Sequence, residues 1–173
     1  MSPRILVAGI GNMFLADDGF GVVVAQRLVT HPLPDGVQVV DYGIRGLDLA
    51  YALLDQWRAV ILVDTVARGQ SPGTLYLIEP AMDQTGLIAP DAHGMDPVKV
   101  LALARSLGAA PVPTYLVGCE PELLINPDEG DVVVQLSAPV QGAIDEAMRM
   151  VESLVERIIA RAPVVAGSVE LGS

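Results

Sequence analysis

Short apolar runs alternate with amphipathic ones along the chain. The runs at 4–9 (RILVAG), 37–43 (VQVVDYG), 59–66 (AVILVDTV), 74–80 (TLYLIEP) and 114–121 (TYLVGCEP) are rich in Val, Ile, Leu and Tyr and are bounded by Gly or Pro, which predicts five strands. Several are apolar at every position, the pattern of strands covered on both faces. Helical patterns fill the intervals at 19–29, 47–56, 96–107 and 137–161. Asp96 and Pro97 form a helix-start signature. In the last helix Val140, Ile144, Ala147, Val151, Leu154, Val155, Ile158 and Ile159 follow helical spacing, and Ser137 is placed to cap it. Asp17 and Asp18 stand where negative charge suits the start of the first helix.

Strand–helix alternation predicts a three-layer, doubly wound α/β fold: a mostly parallel five-stranded sheet with helices on both faces. Right-handed crossovers put strands 1, 2 and 3 side by side, with strand 1 between the other two. In such sheets the functional crevice lies beyond the carboxyl ends of the strands, where the strand order reverses. The loop after the first strand carries Asp17 and Asp18, and the third strand runs into Asp64. Those two loops are therefore expected to face one another across one crevice. The 173 residues fit one domain, read as 1–163, with a frayed tail at 164–173.

Composition narrows the partners. The net charge of −11 argues against nucleic acid and against anionic membrane surfaces, both of which need Lys and Arg. No apolar run approaches the length of a membrane span, and the N-terminus lacks a signal-peptide pattern. The single cysteine, Cys119, cannot form an internal disulfide. Together these point to a cytoplasmic protein. Cys119 ends an apolar strand with no histidine at a suggestive spacing, so it is read as a core residue. His31, in HPLPDG, is read as a surface loop histidine.

The stretch GIGNMFLADDGFG, 9–21, begins like a dinucleotide-binding turn, but Phe14 stands where the third glycine belongs. Asp41 follows Gly11 by 30 positions, longer than the usual spacing of about 20. Two carboxylates at the turn would also repel a pyrophosphate. A metal reading uses Asp18, Asp64 and His93. Asp64 closes an apolar strand, where a carboxylate is costly unless it faces the crevice or a partner. His93 lies in PDAHGMDP, just before a predicted helix. Two carboxylates and an imidazole suit nickel or zinc and leave coordination positions for water or substrate. The spacing alone leaves a plainer reading open, with capping aspartates and an ordinary loop histidine.

The opening ILVAGIGNMFLADDGFGVVVAQRL resembles the start of the endopeptidases that mature [NiFe]-hydrogenases. The similarity continues, in order, through VVDYGIRGLDLAYAL, VILVDTV, PGTLYLIE, DAHGMDPVKVLALA, YLVGCEPE and LSAPVQGAIDEAMRMV, to about residue 160. The resemblance implies a doubly wound, phosphorylase/hydrolase-like α/β fold. It also implies removal of a C-terminal extension from the hydrogenase large-subunit precursor once nickel has been inserted. By motif position it places nickel contacts on Asp18, Asp64 and His93, with the nickel supplied by the precursor and none tightly bound in the free enzyme. Two departures stand out. Asp18 occupies a position where relatives often carry Glu, and GIRG replaces a Gly-Thr-x-Gly pattern, so Ile44 removes a polar contact and Arg45 offers a cation to an acidic group on the precursor. A non-catalytic assembly factor that recognises the metallated precursor remains an alternative, and a dinucleotide binder a weaker one.

Overall fold

The computed structural model describes residues 4–79, 96–125, 128 and 130–161. Five strands, β1 (Ile5–Ile10), β2 (Val37–Gly43), β3 (Ala59–Thr65), β4 (Leu75–Ile78) and β5 (Thr114–Cys119), form one sheet in the order β2-β1-β3-β5-β4. β1 pairs in parallel with β2 and β3, β3 pairs in parallel with β5, and β4 runs antiparallel to β5 at the edge. The chain leaves β1 to build β2 on one side and then crosses to build β3 on the other. The reversal of order therefore falls between β1 and β3, as the sequence predicts.

The helices are α1 (Phe20–Leu28), α2 (Gly46–Ala52), α3 (Pro97–Ser106) and α4 (Ala138–Ala160). Alternation along the strands assigns each to a face. Ile5, Val7, Ile61 and Val63 pack with Phe20, Val24 and Leu28 of α1 and with the apolar stripe of α4. Leu6, Ala8, Ile10, Val60 and Leu62 pack with Leu49 and Ala50 of α2 and with Val100 and Ala104 of α3. This gives the three layers. β1 is buried at all six positions because both its faces are covered. Each fully buried Leu, Ile or Val contributes about 1.5–3 kcal/mol, so the two faces supply the bulk of the stability.

Two boundaries differ from the sequence expectation for identifiable reasons. α2 stops at Ala52 rather than 56, where the Trp57 indole N–H donates to the Ala52 carbonyl at 2.8 Å and satisfies a helix-end acceptor. Ser137 does stand before α4 but its hydroxyl does not cap it, being engaged elsewhere. Asp96 caps α3 as expected, accepting from Val98 N at 2.9 Å, with Pro97 in the first turn. The expected tail at 164–173 lies outside the described residues. Among the described residues no helix is long and apolar enough to cross a membrane.

Two glycines let α1 lie close to the strands at their carboxyl ends. A Cβ on Gly21 would fall onto the carbonyls of Val63 and Ile10, and one on Gly9 would meet the Gly21 carbonyl and Ala25 Cβ. The first turn of α1 is thereby pressed into the junction of β1 and β3, next to Asp64.

Candidate functional site

The loop after β1 is shaped by its own polar groups. Gly11 adopts φ 138°, which only glycine accepts without strain, and its N–H donates to the Gly43 carbonyl at 3.0 Å. The Asn12 side-chain oxygen accepts from Phe14 N at 3.0 Å, closing a tight turn. Asn12 N donates to Asp18 Oδ2 at 2.9 Å. A carboxylate of the chain itself thus takes the backbone donor that a bound phosphate would need. A Cβ on Gly11 would collide with the Asp18 carbonyl, so the loop closes tightly on itself. The Asp18 carboxylate in this glycine-rich turn is therefore part of its construction, and the loop amide it occupies is not offered to a phosphate.

Asp17, Asp18 and Gly19 form a single 3-10 turn that packs against β3 and leads into α1. Asp18 is buried, with 5% exposure. Asp64 follows Val63, is 7% exposed, and accepts from Thr65 N at 2.8 Å through Oδ1. Both carboxylates therefore lie at the carboxyl rim, on segments that touch, at the reversal of strand order. His93 lies outside the described residues, and among those described no set of three metal-capable side chains is gathered. The structure brings two members of the expected trio onto touching segments of the carboxyl rim, and the third lies outside the described residues.

Asp17 departs from its expected role. It does not cap α1, whose N-terminus carries no side-chain cap. Its carboxylate turns away from the helix, is fully buried, and accepts from Glu122 N (2.9 Å), Leu123 N (2.8 Å), Ser137 N (2.7 Å) and Ser137 Oγ (2.9 Å). The Ser137 hydroxyl is spent here, which is why it does not cap α4.

A fourth buried carboxylate was not singled out from sequence. Glu120, just past β5, is 3% exposed, and its Oε2 accepts from Arg68 N at 2.7 Å in the loop that follows Asp64. It closes an apolar strand as Asp64 does, and the same cost argument could have flagged it. Burial and then the Glu120 charge push the Tyr76 phenol above its ordinary value, and the Arg68 guanidinium lies 5.3 Å over that ring. Cys119 is fully buried. Burial first, then Asp17 and Glu120, pushes its thiol up to about 12, so it stays protonated and is no nucleophile. His31 is exposed, with its ring near the Arg27 carbonyl, as expected of a surface residue.

Beside the first loop opens a cavity of about 310 Å³ whose walls include Asn12, Met13, Phe14, Asp41, Ile44 and Arg45. Arg45 is held at its edge, donating to the carbonyls of Asp41 and Tyr42, pairing with Asp48 at 3.5 Å, and lying 5.8 Å over the Tyr42 ring. Phe14 and Ile44 remain exposed at its rim.

The chain matches the HycI family, described as hydrogenase maturation protease, over residues 22–154. It is 35% identical over 151 residues to the hydrogenase expression/formation protein HupD of Rhodobacter capsulatus, covering 84% of this chain and 70% of that one. It is 32% identical over 161 residues to the hydrogenase 2 maturation protease of Escherichia coli, covering 90% and 95%. Among solved structures, the hydrogenase maturating endopeptidase HybD of Escherichia coli superposes with a TM-score of 0.70 at 26% identity, covering 89% of this chain and 93% of that one. A fold that agrees with the resemblance thus stands beside direct matches over most of the length, and this chain belongs to the hydrogenase maturation protease family.

Proposed function

We propose that this endopeptidase removes the C-terminal extension of a [NiFe]-hydrogenase large-subunit precursor after nickel insertion, recognising the nickel of its substrate through Asp18, Asp64 and His93. The observation that carries the reading is the placement of Asp18 and Asp64. Both are more than nine-tenths buried, and they stand on touching segments at the reversal of strand order, in a chain of this family. Carboxylate and imidazole donors suit nickel, and a set of three leaves further positions for ligands from the precursor.

In this reading the nickel arrives with the precursor, and the free enzyme holds none tightly. A precursor without nickel lacks the docking energy, so the ion acts as a gate. A divalent ion can also lower the pKa of a bound water from 15.7 to about 7, enough for hydrolysis near neutrality. The carboxylates of the site offer a general base, a role worth roughly 10²–10⁴-fold. Between the two adjacent aspartates that role falls to Asp18, because Asp17 already accepts four hydrogen bonds. Arg45, fixed at the edge of the cavity beside the first loop, is placed to meet an acidic group of the precursor.

The test is to incubate the protein with nickel-loaded and nickel-free precursor and to weigh the products by mass spectrometry. Shortening of the loaded form alone is expected. Equal shortening of both rejects the gate. A stable complex with no shortening of either would instead favour the assembly-factor alternative.

A further inference from the structure

We propose that Asp17 is a positioning residue, whose carboxylate fastens the first loop to the 122–137 segment and so sets where Asp18 is presented. The proposal rests on the reading of Asp18 given above. An ionised carboxylate has about four acceptor positions. Asp17 accepts four hydrogen bonds, from Leu123 N, Glu122 N and Ser137 Oγ on Oδ2 and from Ser137 N on Oδ1, all between 2.7 and 2.9 Å. Its own N–H donates back to the Leu123 carbonyl at 3.2 Å. Asp17 is fully buried, and its carboxylate is held by donors from three residues far along the chain. Its chemistry is that of an anchor.

The residue before it shows what the anchor holds. Ala16 sits at φ 51°, ψ −120°, a backbone conformation that a residue with a Cβ rarely adopts. Such a conformation persists only where the surroundings over-determine it. Here the Ala16 N–H donates to the Val133 carbonyl at 2.7 Å on one side, and Asp17 is bound to residues 122, 123 and 137 on the other. Asp18 comes next in the chain, its N–H bonded to the Leu15 carbonyl at 3.1 Å and its carboxylate to Asn12 N at 2.9 Å. The strained peptide and the anchor therefore fix the backbone from which the Asp18 carboxylate projects. The start of the 23-residue helix α4 adds support, since Asp17 binds the amide of its capping residue and the helix dipole favours a carboxylate there. Releasing Asp17 lets Ala16 relax toward negative φ and carries Asp18 with it. A small displacement of a catalytic group lowers the rate of the bound complex more than it lowers binding.

The experiment uses the whole protein and three variants, Asp17→Asn, Ser137→Ala and Ser137→Thr. Asp17→Asn replaces an acceptor oxygen by an amide that faces donors. Ser137→Ala removes only the hydroxyl bond, and Ser137→Thr restores it. With nickel-loaded precursor at a temperature where circular dichroism shows full folding, kcat is expected to fall about 50-fold in Asp17→Asn and about 5-fold in Ser137→Ala, with KM within about 2-fold. Ser137→Thr should recover to within about 2-fold of the parent. A purely structural residue would lower the melting temperature and leave kcat of the folded protein unchanged, and that result overturns the proposal. If Asp17→Asn does not fold, the Ser137 pair decides by the same criterion. Amide hydrogen exchange provides a readout that needs no substrate. The amides of Ala16 to Gly19 should exchange about 10-fold faster in Ser137→Ala than in the parent, with those of β1 and β3 unchanged. Unchanged exchange at Ala16–Gly19 overturns the anchor. A parent protein that fails to shorten the precursor while the exchange effect holds overturns the functional reading alone.

Discussion

At the carboxyl rim of the sheet four carboxylates are buried: Asp17, Asp18, Asp64 and Glu120. At the amino rim, among the described residues, no charged side chain is buried. There an apolar cavity of about 290 Å³ opens instead, with Leu53, Leu101, Ala104, Pro111, Val112 and Pro113 among its walls. Both rims close the same strands and the same two apolar layers, so the contrast is not imposed by the core. Burying a polar group without compensation costs several kcal/mol, and a carboxylate more. Asp17 and Glu120 offset that cost with backbone amides, and in doing so they tie the loops after β1, β3 and β5 together. Asp18 lies in one of those loops and Asp64 at the end of β3, at the reversal of strand order. The amino rim has space, and the charged groups that border it, Glu79 and Arg105, are exposed to solvent. A cavity, by itself, is a weaker sign of function than a concentration of buried charge.

The contrast can be broken or sharpened by substitution. The largest effect is expected from Asp64→Asn, which should lower processing of nickel-loaded precursor by about 10³-fold, or about 4 kcal/mol of transition-state stabilisation, without lowering the melting temperature. Near-normal processing by this variant would remove Asp64 from the active set. Next comes Gly21→Ala, which pushes a methyl group into the Val63 and Ile10 carbonyls and should cost about 3 kcal/mol in a urea titration. A cost below about 0.5 kcal/mol would show that α1 is not pressed into the β1–β3 junction as described. At the other rim, Leu53→Ala should cost about 2 kcal/mol, the low end for such a truncation because the site already borders a cavity. Processing by the folded fraction should be unchanged. A loss of processing there would erase the distinction between the rims.

The smallest effect concerns pH. The Cys119 thiol is raised from 9.0 to about 12 in the folded state. Below pH 9 both states keep the proton and stability does not depend on it. Between pH 9 and 12 the unfolded chain releases the proton while the folded chain retains it, so stability falls as pH rises, by up to about 1.4 kcal/mol per unit. Tyr42 and Tyr76, both raised above 10.0, add a slope of the same sign at higher pH. Urea titrations between pH 8 and 10.5 should show this decline, and Cys119→Ala should flatten its lower part. An unchanged slope in the variant would mean the thiol is not held protonated by the fold.

Much of this architecture is written locally. β1 and β3 read as continuously apolar because helices cover both their faces, and Asp96-Pro97 marks the start of α3 because capping chemistry acts within one turn. Asp64 was visible as a charge ending an apolar strand, and its neighbourhood with Asp18 followed from strand order alone. What stayed hidden is non-local. The donors to Asp17 come from 105 to 120 residues away, so its spacing to Asp18 suggested a helix cap and not an anchor. Gly21 looks like a flaw in a helix until the carbonyls of two strands are seen against it. The premature end of α2 depends on the indole of Trp57, beyond any helical period. The motif order carried the family, whereas His93, singled out by its place before α3 and by the resemblance, lies outside the described residues.

The central claim is that Asp18, Asp64 and His93 grasp one divalent ion at the junction of β1 and β3. Its most direct test is a crystal of the protein soaked in Zn²⁺, which accepts the same donors, with the ion located by anomalous scattering. The account predicts one peak bonded by oxygens of both Asp18 and Asp64 at about 2.0–2.2 Å and by a nitrogen of His93 at about 2.0–2.1 Å. An ion bound elsewhere, or one that Asp18 and Asp64 do not share, would contradict it.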